Sequence, residues 1–90
     1  MEVRKKCWPE FFEKFVSGER IFELRLADFD LKTGDILIFE EYNPKTKKYT
    51  GRKLSFKCKN VERSAQNPLQ FYDVEDVKEK GFWIIQLEKE

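Results

Sequence analysis

The sequence predicts a small α+β domain, mostly β, built as a mixed barrel or half-barrel with one principal helix near its start. Three observations predict it. Ninety residues suffice for one domain and no more. One segment, Trp8 to Val16, repeats its apolar residues at helical spacing. Most of the rest alternates apolar and polar residues, or runs apolar for four positions, as strands do. Nine Phe, three Tyr and two Trp give this short chain its core material, at roughly 150–250 Å² of apolar surface per buried ring.

The elements follow in order. Residues 2–7 read as a short polar first strand. Pro9 then opens a helix at its first turn, where a missing N–H costs nothing. Trp8, Phe11, Phe12, Phe15 and Val16 fall at i, i+3, i+4, i+7 and i+8 and are expected to form a core face, not a surface on which bases stack. Gly18 stands where a left-handed helix stop is wanted. From Arg20 the period changes to two: Phe22, Leu24 and Leu26 point one way, Ile21, Glu23 and Arg25 the other, in a half-buried strand whose second face carries an acid and a base. Residues 27–30 read as a turn, and a second turn over 32–35 feeds Ile36-Leu37-Ile38-Phe39, a run covered on both faces as in a central strand. That strand continues outward through Tyr42. Asn43 to Lys48 form a lysine-rich hairpin loop, and Leu54, Phe56 and Cys58 alternate with Lys53, Ser55, Lys57 and Lys59 on the return strand. Residues 60–68 read as an irregular connection, Asp73 to Lys80 as a short capped helix stopped by Gly81, and Phe82 to Leu87 as the last strand.

Composition bounds the function. Two cysteines, Cys7 and Cys58, are too few to frame a disulfide-built secreted domain and are expected as reduced, buried thiols. With no histidine and no CxxC, no metal is expected, and Asp28, Asp30 and Asp35 do not converge enough to supply one. No cofactor motif is present. No apolar run approaches the roughly 20 residues of a membrane span, so the expected location is cytoplasmic and a membrane partner is not expected. A monomer is the default. Net charge is +1, yet residues 43–63 hold eight bases against one acid while residues 26–42 hold five acids against one base. Charge separated this way suits an anionic partner on the basic side.

One constellation can carry ligand chemistry. Gly18-Glu19-Arg20-Ile21-Phe22-Glu23-Leu24-Arg25 turns from helix into strand and places a carboxylate and two guanidiniums at a strand mouth. Arginine can clamp a phosphate through two donors or stack on a base, and a carboxylate can accept from an exocyclic amine. The alternative is an ion pair on a solvated strand face. The run resembles the Gly-x-Lys-x-x-Glu-x-Arg signature of the ASCH superfamily of PUA-like folds, and the likeness extends through Pro9-Glu10-Phe11-Phe12, Asp28, Asp30, Gly34-Asp35, Glu41-Tyr42, Tyr49 to Arg52 and Gly81 to Ile85, as in a short bacterial and phage family of uncharacterised domains within that group. What the resemblance implies is a PUA-like β-barrel with a cleft beside the first helix that accepts RNA or a modified nucleoside. The Lys and Thr with which some relatives deacylate acetylated cytidine fall on Arg20 and Glu23. Arginine is a poor proton acceptor and glutamate is no hydroxyl, so that mechanism does not transfer.

The expected function is therefore RNA or nucleotide binding. Arg20, Glu23 and Arg25 form the reading cleft; Lys6, Arg52 and the loop lysines Lys45, Lys47 and Lys48 meet phosphates; and Tyr49 is placed to stack on a base. Two alternatives stand beside it. One is a small hydrolase of modified nucleosides with Glu23 as base and Arg20 as stabiliser. The other is a protein-interaction or regulatory module that uses the opposed charged lobes.

Overall fold

A computed structural model describes residues 1–64 and 81–90. The elements run β1 (Glu2–Cys7), α1 (Pro9–Val16), β2 (Phe22–Leu26), β3 (Ile36–Asn43), β4 (Lys48–Ser64) and β5 (Phe82–Lys89). They form one five-stranded mixed sheet in the order β1-β3-β4-β5-β2, curled into a half-barrel. β1 runs parallel to β3, and the other neighbours are antiparallel. The expected helix over 73–80 lies outside the described residues.

Helix α1 begins at Pro9, as the sequence requires, with Trp8 extended at the cap position. Its buried contribution is narrower than the periodicity predicts. Phe12 and Phe15 are buried, whereas Trp8, Phe11 and Val16 remain exposed. Phe15 stacks on Phe39 of β3 at 4.6 Å between ring centroids, and Phe56 closes edge-on to Phe39 at 5.8 Å. Leu37, Cys58, Ile85 and Leu87 complete the core around these rings. An eight-residue helix laid on a curved sheet touches it along one narrow line, which leaves Trp8, Phe11 and Val16, three of the five apolar positions, exposed.

The run Ile36–Phe39 lies between β1 and β4 with Leu37 and Phe39 fully buried, as four consecutive apolar residues predict. β4 is longer than the sequence indicates. It continues through Ser64 in place of the irregular connection expected from residue 60. It pairs with β3 up to Lys57 and with β5 from Phe56 onward, with a register shift between Cys58 and Asn60. At that point Cys58 leaves β3. Its N–H donates to the Asp35 carbonyl and its carbonyl accepts from the Gly34 N–H, both at 2.8 Å. A bulge bends a strand and steepens its twist, and here it turns one long strand from the β3 wall to the β5 wall.

β2 follows the predicted alternation with the two faces exchanged. Glu23 lies opposite the fully buried Ile85 and is itself buried, while Leu24 lies opposite the exposed Ile84. Phe22 is half exposed. The reason is position. Among the described residues β2 is an edge strand at the open seam of the half-barrel, and its inner face meets Arg20 and Arg25, which satisfy a carboxylate.

Both cysteines are buried and free, as expected. Burial, and secondarily the charge of Glu23, pushes the Cys7 thiol up to about 11; burial does the same for Cys58.

Candidate functional site

The open seam is where Lys6 and the Gly18–Arg25 segment gather. One wall is the end of β1, at Lys6 and Cys7, continued by α1 through Trp8, Phe11 and Lys14; the other is β2 from Phe22 to Arg25, with Glu19 and Arg20 at the turn between. These residues enclose a cleft of about 930 Å³. The helix stop makes the geometry. Gly18 takes φ +78°, in the left-handed region that glycine adopts without strain. Its N–H donates to the Phe15 carbonyl, and that of Arg20 to the Lys14 carbonyl. The chain thus reverses within four residues and leaves Arg20 at the mouth of β2.

Glu23 organises the site. It is 6% exposed. Its Oε1 accepts from Arg20 Nη2 at 2.9 Å and from its neighbour Leu24 N–H at 3.1 Å, and its Oε2 accepts from Arg25 Nε at 3.2 Å. Each arginine is held a second time by a backbone carbonyl. Arg20 Nε donates to Phe22 at 3.0 Å, and Arg25 Nη2 donates across the seam to Lys6 at 2.7 Å. Two guanidiniums are therefore fixed in orientation while their Nη1 groups are left without a partner among the described residues. Both side chains keep about a quarter of their surface in solvent. Each carboxylate oxygen is already bonded to a guanidinium, so the arrangement is suited to presenting two cationic donors to an anionic or planar acceptor.

Aromatic rings frame these cations. Arg20 lies 5.7 Å from the Phe11 ring centroid, 5.3 Å from Phe15 and 5.2 Å from Phe22, which links the helix wall to the strand wall. Arg25 lies 5.7 Å above Phe39 of the core. Lys6 extends the basic lining toward the long hairpin, with its Nζ 4.3 Å from the Tyr42 ring and 5.8 Å from that of Tyr49.

A second polar cluster stands on the β3–β4 hairpin. Glu41 is 3% exposed. It accepts from Thr50 Oγ1 at 2.5 Å, from Arg52 Nε at 2.9 Å and from Arg52 Nη2 at 2.8 Å. Arg52 also pairs with Glu13 of α1 and lies 4.8 Å from the Phe12 ring centroid. The Arg52 bonds, with Thr50 assisting, hold the Glu41 carboxyl below the usual carboxylate range, and the two carboxylates in turn push the guanidinium up. This cluster staples helix to hairpin.

The predicted residues thus divide into three groups. Arg20, Glu23, Arg25 and Lys6 line one cleft. Arg52 does not line it and is engaged by two carboxylates. Lys45 and Lys47 are exposed on the hairpin turn and Lys48 at the start of β4, with Tyr49 beside them exposed and packed edge-on against Tyr42. Sequence reasoning assigned Trp8 and Phe11 to the core and did not single out Lys14; all three line the cleft. The available signal was the width of the stripe, since Trp8 at the cap and four apolar positions on an eight-residue helix exceed what one narrow contact buries.

A family model described as Domain of unknown function (DUF3850) matches residues 4–74, and the chain belongs to that family. The crystal structure of hypothetical protein PH0355 is similar over 100% of both chains, with a TM-score of 0.75 and 25% sequence identity. No curated protein matches the chain.

Proposed function

We propose that this DUF3850 domain is a PUA-like module of the ASCH kind that binds single-stranded RNA or a nucleotide-like ligand in the seam cleft. The observation that carries the reading is the pair of guanidiniums fixed by one buried carboxylate, with Nη1 groups that no described residue bonds, in a cleft of about 930 Å³. Four cations and two acids line that cleft, so it favours an anion. A phosphate would bond to Arg20 and Arg25, as guanidinium forks do. Lys6 leads from the cleft to Tyr42, Tyr49 and the hairpin lysines, a path along which a chain of phosphates could run. Single strands suit a cleft of this size better than a duplex, whose bases are stacked away.

Fluorescence anisotropy with a labelled single-stranded RNA tests the reading. With the four lining cations on phosphates, log K falls against log salt with a slope of roughly −3. Arg25→Ala lowers affinity about tenfold and flattens that slope. Affinity indifferent to salt, or unchanged by removal of either Arg20 or Arg25, would contradict it.

A further inference from the structure

The helix wall of the cleft carries an arrangement that the phosphate argument does not use. Trp8 is 48% exposed, Phe11 40% and Phe22 50%, all three on one cleft. Single exposed apolar residues are ordinary on any protein surface. Three large rings on one concavity are not, because each forgoes burial that a ninety-residue domain can ill spare. The Trp8 and Phe11 rings are neighbours, with centroids 6.5 Å apart and planes inclined by 31°. Arg20 lies within 6 Å of both the Phe11 and the Phe22 centroids. The cleft thus has an aromatic side and a cationic side, and each is complementary to one half of a nucleotide unit. A planar base gains by stacking on rings, and its phosphate gains on guanidiniums.

We infer that Trp8 and Phe11 form the base-stacking wall of the cleft, against which one unstacked nucleobase lies while Arg20 and Arg25 hold the adjoining phosphate. This inference rests on the nucleotide-binding reading above and deepens it, since it assigns the ligand's base as well as its charge. Stacking on a ring face is available to every base. The wall therefore selects for unpaired bases rather than for a sequence, and favours purines for their larger face.

Labelled RNA hexamers of oligo-A, together with an abasic hexamer of the same length and charge, separate the two halves of the site. Wild-type protein binds oligo-A at least about fivefold more tightly than the abasic strand, the change that the weakest base–aromatic stack produces. Trp8→Leu and Phe11→Leu each reduce oligo-A affinity by about that factor or more, reduce abasic affinity by less and so narrow the gap. Leucine keeps apolar bulk at exposed positions, and an unchanged circular dichroism spectrum and melting temperature establish that the variants fold. Equal affinity for oligo-A and abasic RNA, or variants that bind oligo-A as wild type does, would overturn the stacking wall and leave the phosphate site standing. Absence of binding to either RNA would overturn both.

Discussion

Replacing Glu23 with alanine removes the group that orients both cleft arginines, and its cost can be worked from the geometry. Three hydrogen bonds are lost, two of them from guanidiniums. Bonds to charged groups contribute about 1.5–3 kcal/mol each, and breaking a buried ion pair costs about 3–5 kcal/mol. Arg20 and Arg25 retain 21% and 25% side-chain exposure, so each can turn partly to water and recover some of the loss. The net expectation is a destabilisation of about 2–4 kcal/mol, or roughly 10–25 °C in melting temperature for a domain of this size. Glu23→Gln keeps one acceptor and should lose about half as much. Glu19→Gln, at an exposed position of the same turn, is the control with a change near zero. Urea titration followed by far-ultraviolet circular dichroism measures all three. A loss below about 0.5 kcal/mol for Glu23→Ala, the value of a solvent-screened surface pair, would refute the claim that Glu23 is a buried organiser.

Three further outcomes follow from the structure. Asp35, whose carboxyl is lowered first by the Lys32 N–H, and Glu41, lowered first by Arg52, both titrate lower in the folded chain than in the unfolded one; their stabilisation is complete above the ordinary carboxylate range and is lost as pH falls below it, so a pH series of urea midpoints should drop from about pH 4 downward, with Glu41→Gln flattening the drop. Gly81→Ala should destabilise clearly more than Gly18→Ala, because both sites have positive φ but a Cβ at Gly81 would come 2.8 Å from the Ser64 carbonyl oxygen while one at Gly18 meets nothing within 4 Å; parallel thermal melts compare them. Cys7 and Cys58, buried and raised to about 11, should resist a thiol reagent at pH 8 in the native state and react together on unfolding, as a colorimetric thiol assay reads.

Where the sequence was legible, one physical cause dominated the segment. Pro9 and Gly18 bracket a helix because both act through backbone dihedrals, which do not depend on tertiary neighbours. Ile36–Phe39 reads as central because apolarity on both faces has only one stable placement. The exchanged faces of β2 were not legible. Alternation reports that Phe22 and Glu23 point apart, but which one is buried depends on Arg20, on Arg25 and on the position of β2 at the seam. Trp8 and Phe11 were misread for a related reason: helical periodicity defines an apolar face, and only the curvature of the sheet decides how much of that face is covered. The continuation of β4 past residue 60 depends on a bulge tied to the 32–35 turn, a contact between residues more than twenty positions apart. Of the cleft, the Gly18–Arg25 segment and Lys6 could be named in advance, since charge and spacing mark them. The pairing of Arg52 with Glu41 and Glu13 could not, because it joins three separate elements.

Titration of ¹⁵N-labelled protein with a short single-stranded RNA, followed by two-dimensional NMR, tests the central claim most directly. Shifts should concentrate at Lys6, Trp8 with its indole N–H, Phe11, Arg20 and Phe22 to Arg25, the residues around the seam. Shifts confined to the opposite side of the sheet, or none at RNA concentrations in the millimolar range where even non-specific binding saturates, would contradict a ligand-binding role for the cleft.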